Sequence, residues 1–273
     1  FNEYVHYLLT KGHPLKFYIE GGRSRTGRLL SPKTGMLSMA VQSYFRNSDK
    51  PVALVPVYIG YDKVAEVGTY LSELRGRKKR TESIGQLFSA FKILRRYYGK
   101  AYIGVGEPVM MEDFLNETKP GWREETADNV KPTWMVPVVQ QLGSKVLDRV
   151  NSAAVVSPVA IFGLIMLSTP QKAMAEEELL FMIEKFIDAM RSAPYSRMVS
   201  LPDGSPREIL DHALKVTGAS RFEHPGGDVI YLNELDSTLM TYYRNNIIHL
   251  VAIPSLVASF LQYNDRIKEE ELI

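Results

Sequence analysis

The chain has 273 residues, 45% of them hydrophobic and 23% charged, with a formal net charge of +2 and no cysteine. Apolar surface on that scale offsets the entropy of ordering and excludes an intrinsically disordered chain, while the missing cysteine excludes disulfide and thiolate chemistry. The small net charge gives no basis for nucleic-acid binding, and the five histidines show no metal-ligand spacing.

In chain order, the apolar run Leu15-Lys16-Phe17-Tyr18-Ile19 predicts a strand over 15–19. It ends in Glu20 and opens into Gly21-Gly22-Arg23-Ser24-Arg25-Thr26-Gly27-Arg28. Behind Pro32-Lys33-Thr34-Gly35, the residues Leu37, Val41, Tyr44 and Phe45 share one helical face. Strands are predicted over 52–59 and 101–105. Between them a helix over 82–98 aligns Ile84, Leu87, Phe88, Phe91 and Leu94. Alternation of this kind is the α/β pattern.

Strand signals then nearly vanish. Val138, Leu142, Val146 and Val150 form one helical stripe, and Leu179, Ile183, Phe186, Ile187 and Met190 form a cleaner one. Ser205-Pro206-Arg207-Glu208 reads as a capping box with proline at the first helical position, and Gly218 as the close of that helix. A short strand over 229–232 precedes a helix carrying Leu235, Leu239, Tyr242 and Tyr243. Polar residues and prolines gather over 116–132, which divides the chain into an α/β part, 1–125, and a mainly helical region, 126–273. No segment reaches the roughly 18–20 uninterrupted apolar residues of a spanning helix. The run 153–167 is broken by Ser157-Pro158 and the run 247–261 by His249 and Pro254; each reads as a buried core helix or as a shallow contact with a bilayer. Phe1 at the start, and Lys268-Glu269-Glu270-Glu271-Leu272-Ile273 as the opening of a further helix, lead us to expect a piece of a longer protein.

The arginine–glycine loop carries the chemistry. Glycine permits sharp bends and close approach of the backbone to a ligand, and arginine supplies a planar fork of donors with permanent charge. A small dianion such as a phosphate suits this combination, each charge-assisted hydrogen bond contributing roughly 1.5–3 kcal/mol. A surface turn whose arginines pair with Glu20 is the competing reading. The loop fits neither the Walker pattern nor the dinucleotide fingerprint. The basic run Arg75-Gly76-Arg77-Lys78-Lys79-Arg80 reads as a solvated loop, with attraction to anionic lipid or docking of an acidic carrier protein as functional alternatives.

Residues 18–28 with Pro32-Lys33-Thr34-Gly35 resemble the third conserved block of the glycerol-3-phosphate acyltransferases, in their large bacterial inner-membrane form. Val55-Pro56-Val57 resembles the fourth block. The stretches Asn151-Ser152-Ala153-Ala154-Val155-Val156 and Met240-Thr241-Tyr242-Tyr243-Arg244-Asn245-Asn246-Ile247 are similar to further segments of the same family. The resemblance implies part of a glycerolipid-acyltransferase αβ domain followed by a mainly helical C-terminal region. It implies transfer of a fatty acyl group from acyl carrier protein or coenzyme A to the sn-1 hydroxyl of glycerol 3-phosphate, without a metal or other cofactor. The expected setting is the cytoplasmic face of a bacterial inner membrane, against the lipid surface, with no spanning helix in this region.

By the same resemblance, Arg23 and Arg25 hold the phosphate, with Gly21 and Gly22 shaping the loop. Glu20 serves the glycerol end or orients an arginine, a structural ion pair being its other reading. Ser24 donates a hydroxyl to the phosphate or stabilises the turn. Lys33 adds charge, and Val55, Pro56 and Val57 lie on the acyl-donor side. The family's His-x-x-x-x-Asp block, which supplies the general base, has no counterpart here: none of His6, His13, His212, His224 or His249 has an aspartate five residues later. The block is expected upstream of Phe1, and residues 1–273 alone are expected to be inactive. A non-catalytic anion- or lipid-binding module that kept the phosphate loop is the second reading. For Tyr242 to Asn246 two readings stand, core aromatics with a polar rim or a role in shaping the cleft.

Overall fold

The computed structural model describes residues 1–47, 49–64, 97–126 and 132–263. The basic run 75–80 and most of the helix predicted over 82–98 lie outside the described residues; Tyr97 and Tyr98 are irregular. The chain divides into two compact units.

The first unit comprises Phe1–Ser24, Leu29–Tyr58 and Gly104–Ala153. Its helices are α1 (Asn2–Lys11), α2 (Gly35–Arg46), α3 (Met111–Thr118), the single turn α4 (Trp122–Glu125) and α5 (Met135–Ser152). Leu37, Val41 and Tyr44 of α2 are buried as the helical period requires, and Val138, Leu142, Val146 and Val150 of α5 are buried with them. Trp122 joins this core with its ring 5.7 Å from Tyr44. The Tyr44 hydroxyl donates to Glu112 Oε2 at 3.0 Å. Hydrogen bonds from Arg123 and Tyr44 hold the Glu112 carboxyl below its ordinary range.

Two strand predictions change. Residues 15–19 form no strand. Phe17 and Ile19 pack on the core while Tyr18 is 69% exposed, so the side chains alternate as a strand's would, but no ladder forms on the segment. Instead Lys33 N–H donates to the Ile19 carbonyl at 2.7 Å. The run 52–59 splits into β1 (Ala53–Leu54) and β2 (Val57–Tyr61), because Pro56 has no N–H to donate to a ladder. β1 pairs antiparallel with β4 (Val109–Met110), and β2 pairs with β3 (Ala101–Val105).

The second unit comprises Arg25–Arg28, Ile59–Ile103 and Ala154–Ile273. Its centre is α6 (Pro158–Met166), started by Ser157, whose side chain accepts from Ala160 N–H, and by Pro158 in the first turn. All of its residues except Leu164 are buried, which settles the run 153–167 as core. Around it stand α7 (Glu176–Ser192), α8 (Pro206–Val216) and α9 (Glu234–Tyr263). A Cβ on Gly163 would lie 3.2 Å from the Met240 carbonyl, so α6 and α9 cross backbone to backbone. Leu179, Ile183, Ile187 and Met190 of α7 are buried, with Phe186 at the margin.

The capping box at Ser205 and Glu208 forms with both reciprocal bonds. Gly218 does not close α8. Thr217 caps it in an extended conformation, and Gly218 lies against Asp236, whose Oδ1 would sit 2.6 Å from an added Cβ. The strand predicted over 229–232 is β7 (Val229–Tyr231), the centre of an antiparallel sheet ordered β5-β7-β6. Its partners β5 (Ala173–Ala175) and β6 (Ser220–Phe222) have three residues each, too few to show a period of two in the sequence. His249 and Pro254 interrupt the apolar composition of 247–261 but not the helix, and α9 continues to Tyr263.

Candidate functional site

The predicted site residues fall in both units. In the first, the loop leaves the body at Glu20, whose Oε2 accepts the Leu30 backbone N–H at 2.7 Å. This bond closes a ten-residue excursion at its neck. Gly21 has φ +63°, and a Cβ there would lie 2.6 Å from Lys33 Cγ. The lysine stem therefore runs across a surface only glycine leaves open. Pro32, next in chain, packs on α5 so closely that a Cβ on Gly143 would be 3.0 Å from its ring. A helix thus fixes the base on which Lys33 stands.

Arg23 and Gly22 are exposed. The Ser24 hydroxyl oxygen is buried and has no hydrogen-bond partner among the described residues. Val55 and Val57 are exposed and Pro56 is buried. Gly106 N–H donates to the Pro56 carbonyl at 2.8 Å, and an added Cβ on Gly106 would lie 2.7 Å from the Arg149 carbonyl. No hydrogen bond described here joins 55–57 to the loop.

In the second unit, Arg25, Thr26 and Arg28 are exposed, and the loop meets α9. Asn245 Nδ2 donates to the Thr26 carbonyl at 2.8 Å. Gly27, at φ +79°, passes so close that an added Cβ would lie 2.1 Å from the Tyr242 carbonyl. The block 240–247 therefore does two jobs by helical face: Met240, Tyr243 and Ile247 are buried in the core, while Tyr242, Asn245 and Asn246 attend the loop.

One polar cluster has no signature in sequence spacing. His212 Nε2 lies 2.6 Å from Asp62 Oδ2, 150 residues apart in the chain. Asp62 is buried and also accepts from Lys100 N–H at 2.8 Å and from the Tyr102 hydroxyl at 3.0 Å. A Cβ on Gly99 would collide with its carboxylate at 2.6 Å. Only folding brings these residues together, so no local motif announces them. Asp62 is enclosed by backbone and phenol donors, and the cluster ties elements of this unit together. Burial, then the Asp62 carboxylate, raises the Tyr102 phenol above its ordinary range. Burial likewise pushes Tyr243 up to about 12. Among the described residues, no group of three or more histidine, aspartate or glutamate side chains could hold a metal ion.

An arginine–glycine loop that meets a helix of the C-terminal region is the geometry in which the resemblance to the glycerolipid acyltransferases is set. Residues 70–273 match the family described as the glycerol-3-phosphate acyltransferase C-terminal region, and residues 1–60 match the acyltransferase family. The chain belongs to the glycerol-3-phosphate acyltransferase family. It is 41% identical over its whole length to a glycerol-3-phosphate acyltransferase of Pseudomonas fluorescens, covering 33% of that protein. It is 43% identical over its whole length to one of Shewanella woodyi, covering 34%, and 41% identical to one of Pseudomonas entomophila, covering 33%. The chain spans about a third of the length of the curated relatives it matches.

Proposed function

We propose that this chain is the acceptor-holding part of a glycerol-3-phosphate 1-O-acyltransferase. In that reaction the sn-1 hydroxyl oxygen attacks the thioester carbonyl of acyl carrier protein or coenzyme A. The new C–O bond forms, the C–S bond breaks, a base takes the hydroxyl proton, and the thiol leaves. No cofactor is required, since positioning and charge stabilisation carry the step. The base belongs to the family's His-x-x-x-x-Asp block, which residues 1–273 do not contain.

In this reading Arg23 and Arg25 bind the phosphate, Lys33 adds charge, and Ser24 donates its hydroxyl. Gly21 and Gly22 let the backbone approach, and Glu20, which closes the neck of the loop, serves the glycerol end or orients an arginine. Val55, Pro56 and Val57 face the acyl donor. The observation that carries the reading is the buried Ser24 hydroxyl without a hydrogen-bond partner among the described residues, beside an exposed arginine and on a loop whose neck is closed by a backbone hydrogen bond. A buried hydroxyl left unpaired is costly, and an acceptor oxygen of a bound phosphate satisfies it. In the complete enzyme, Arg23→Ala is expected to raise the KM for glycerol 3-phosphate about ten- to a hundredfold, the equivalent of one charge-assisted hydrogen bond. The acyl-donor KM is expected to stay within about twofold. Unchanged acceptor kinetics would remove the phosphate assignment.

The product is amphiphilic, and we place the enzyme at the cytoplasmic face of the bacterial inner membrane. The outer half of α9 supports this: Ile253 is 67% exposed and Phe260 56%, with Leu256 and Leu261 exposed beside them. By length and composition α9 is long and apolar enough to cross a membrane, but Met240, Tyr243, Ile247 and Leu250 of its first half are buried in protein. What remains, residues 252–262, rises about 16 Å, half of a hydrocarbon core of about 30 Å. A segment of that reach is long enough to enter one leaflet.

A further inference from the structure

Helix α9 holds the arginine loop by two adjacent residues. Asn245 is 7% exposed, and both ends of its amide are engaged. Nδ2 donates to the Thr26 carbonyl at 2.8 Å, while Oδ1 accepts from Arg244 Nη2 at 3.1 Å and Nε at 3.3 Å. The guanidinium therefore sets which way the amide faces, because a flipped amide would turn its NH2 group toward a cation. One residue on, Gly27 lies against the Tyr242 carbonyl and Asn246 Oδ1 with no room for a side chain. The pinned pair Thr26-Gly27 is flanked by Arg25 and Arg28, both exposed. Nothing else described ties the Thr26 backbone to a helix.

An exposed loop of this composition loses conformational freedom when it closes on a ligand, and holding it in the bound form beforehand moves that cost into folding. We propose that Asn245, oriented by Arg244, is a positioning residue for acceptor recognition. It fixes Thr26-Gly27 so that Arg25 is presented to the acceptor phosphate. The proposal rests on the glycerol-3-phosphate reading above and assigns to the C-terminal region a share in acceptor specificity.

The test uses the purified complete enzyme with glycerol 3-phosphate and a long-chain acyl donor. Asn245→Ala removes the donor. Asn245→Asp keeps an acceptor for Arg244 but sets a carboxylate oxygen against the Thr26 carbonyl. Both are expected to raise the acceptor KM about tenfold, the equivalent of ordering one loop residue, with kcat and acyl-donor KM within about twofold. Because Asn245 acts through Arg25, Asn245→Ala combined with Arg25→Ala is expected to fall short of the product of the two single effects. Acceptor KM unchanged in both Asn245 variants, full additivity with Arg25→Ala, or loss of folded enzyme in both variants would each make Asn245 a structural residue and overturn the proposal. The Arg25→Ala arm separates the two levels. If it leaves the acceptor KM unchanged, the phosphate reading fails and the proposal with it. If it raises that KM while the Asn245 variants do not, the positioning role alone fails.

Discussion

Single residues show how little of the loop is interchangeable. Gly21 and Gly22 are adjacent and look alike in sequence, yet only Gly21 has a positive φ and a lysine stem across its open face, whereas a Cβ on Gly22 would meet nothing within 4 Å. Gly21→Ala is expected to destabilise the fold by about 1–2 kcal/mol, the strain of a left-handed backbone with a side chain, and to raise the KM for glycerol 3-phosphate by displacing Lys33. Gly22→Ala is expected to leave stability within about 0.5 kcal/mol. Thermal unfolding of the two variants side by side decides this, and equal effects would refute the assignment of the turn to Gly21. Glu20 carries a similar lesson. Beside three arginines in sequence, this carboxylate also accepts a backbone N–H ten residues away, which no spacing rule announces.

At the level of the element, α9 is one helix with two environments. The inner half obeys the helical period, with Met240, Tyr243, Ile247 and Leu250 buried against the core. In the outer half Ile253, Leu256, Phe260 and Leu261 are exposed, and a helix apolar on its exposed surface needs another partner. If that partner is lipid, Ile253→Glu and Phe260→Glu in the complete protein are each expected to weaken partition to anionic phospholipid vesicles by about tenfold, from the loss of roughly 1.5–3 kcal/mol of apolar burial. Unaltered partition in both would exclude this segment as the contact. Neither residue belongs to the loop, so acceptor KM in detergent is expected to stay within about twofold.

For the whole molecule, the second unit concentrates polar groups in its interior. Asp62 gathers His212, Tyr102 and the Lys100 backbone, and the Tyr243 hydroxyl accepts the Val64 N–H at 3.0 Å. Burial raises both phenols, Tyr243 to about 12. The linkage has a definite sign. Below about pH 10 these phenols are neutral in both states. Above it the unfolded chain ionises while Tyr243 stays neutral, so unfolding releases protons and stability falls as pH rises toward 12. The urea midpoint is expected to hold between about pH 8 and 9.5 and to decline between about pH 10 and 12, less steeply in Tyr243→Phe. A flat profile to pH 12 would contradict the buried state of these phenols.

The residues alone reveal the features that local chemistry carries. The helical stripes of α2, α5 and α7 could be read because burial of one face imposes the 3.6 period, and the cap of α8 because its bonds close within four residues. The arginine–glycine loop and its family resemblance were legible because both are contiguous. The remaining features depend on contacts between distant segments. Whether 15–19 forms a ladder depends on a partner strand, and three-residue strands such as β5 and β6 exist only through the neighbour they pair with. Asp62 with His212 and Thr26 with Asn245 are joined across 150 and 219 residues, and no spacing rule reaches that far. The loop could be recognised from its own residues, but the helix that holds it became visible only once the chain had folded back on itself.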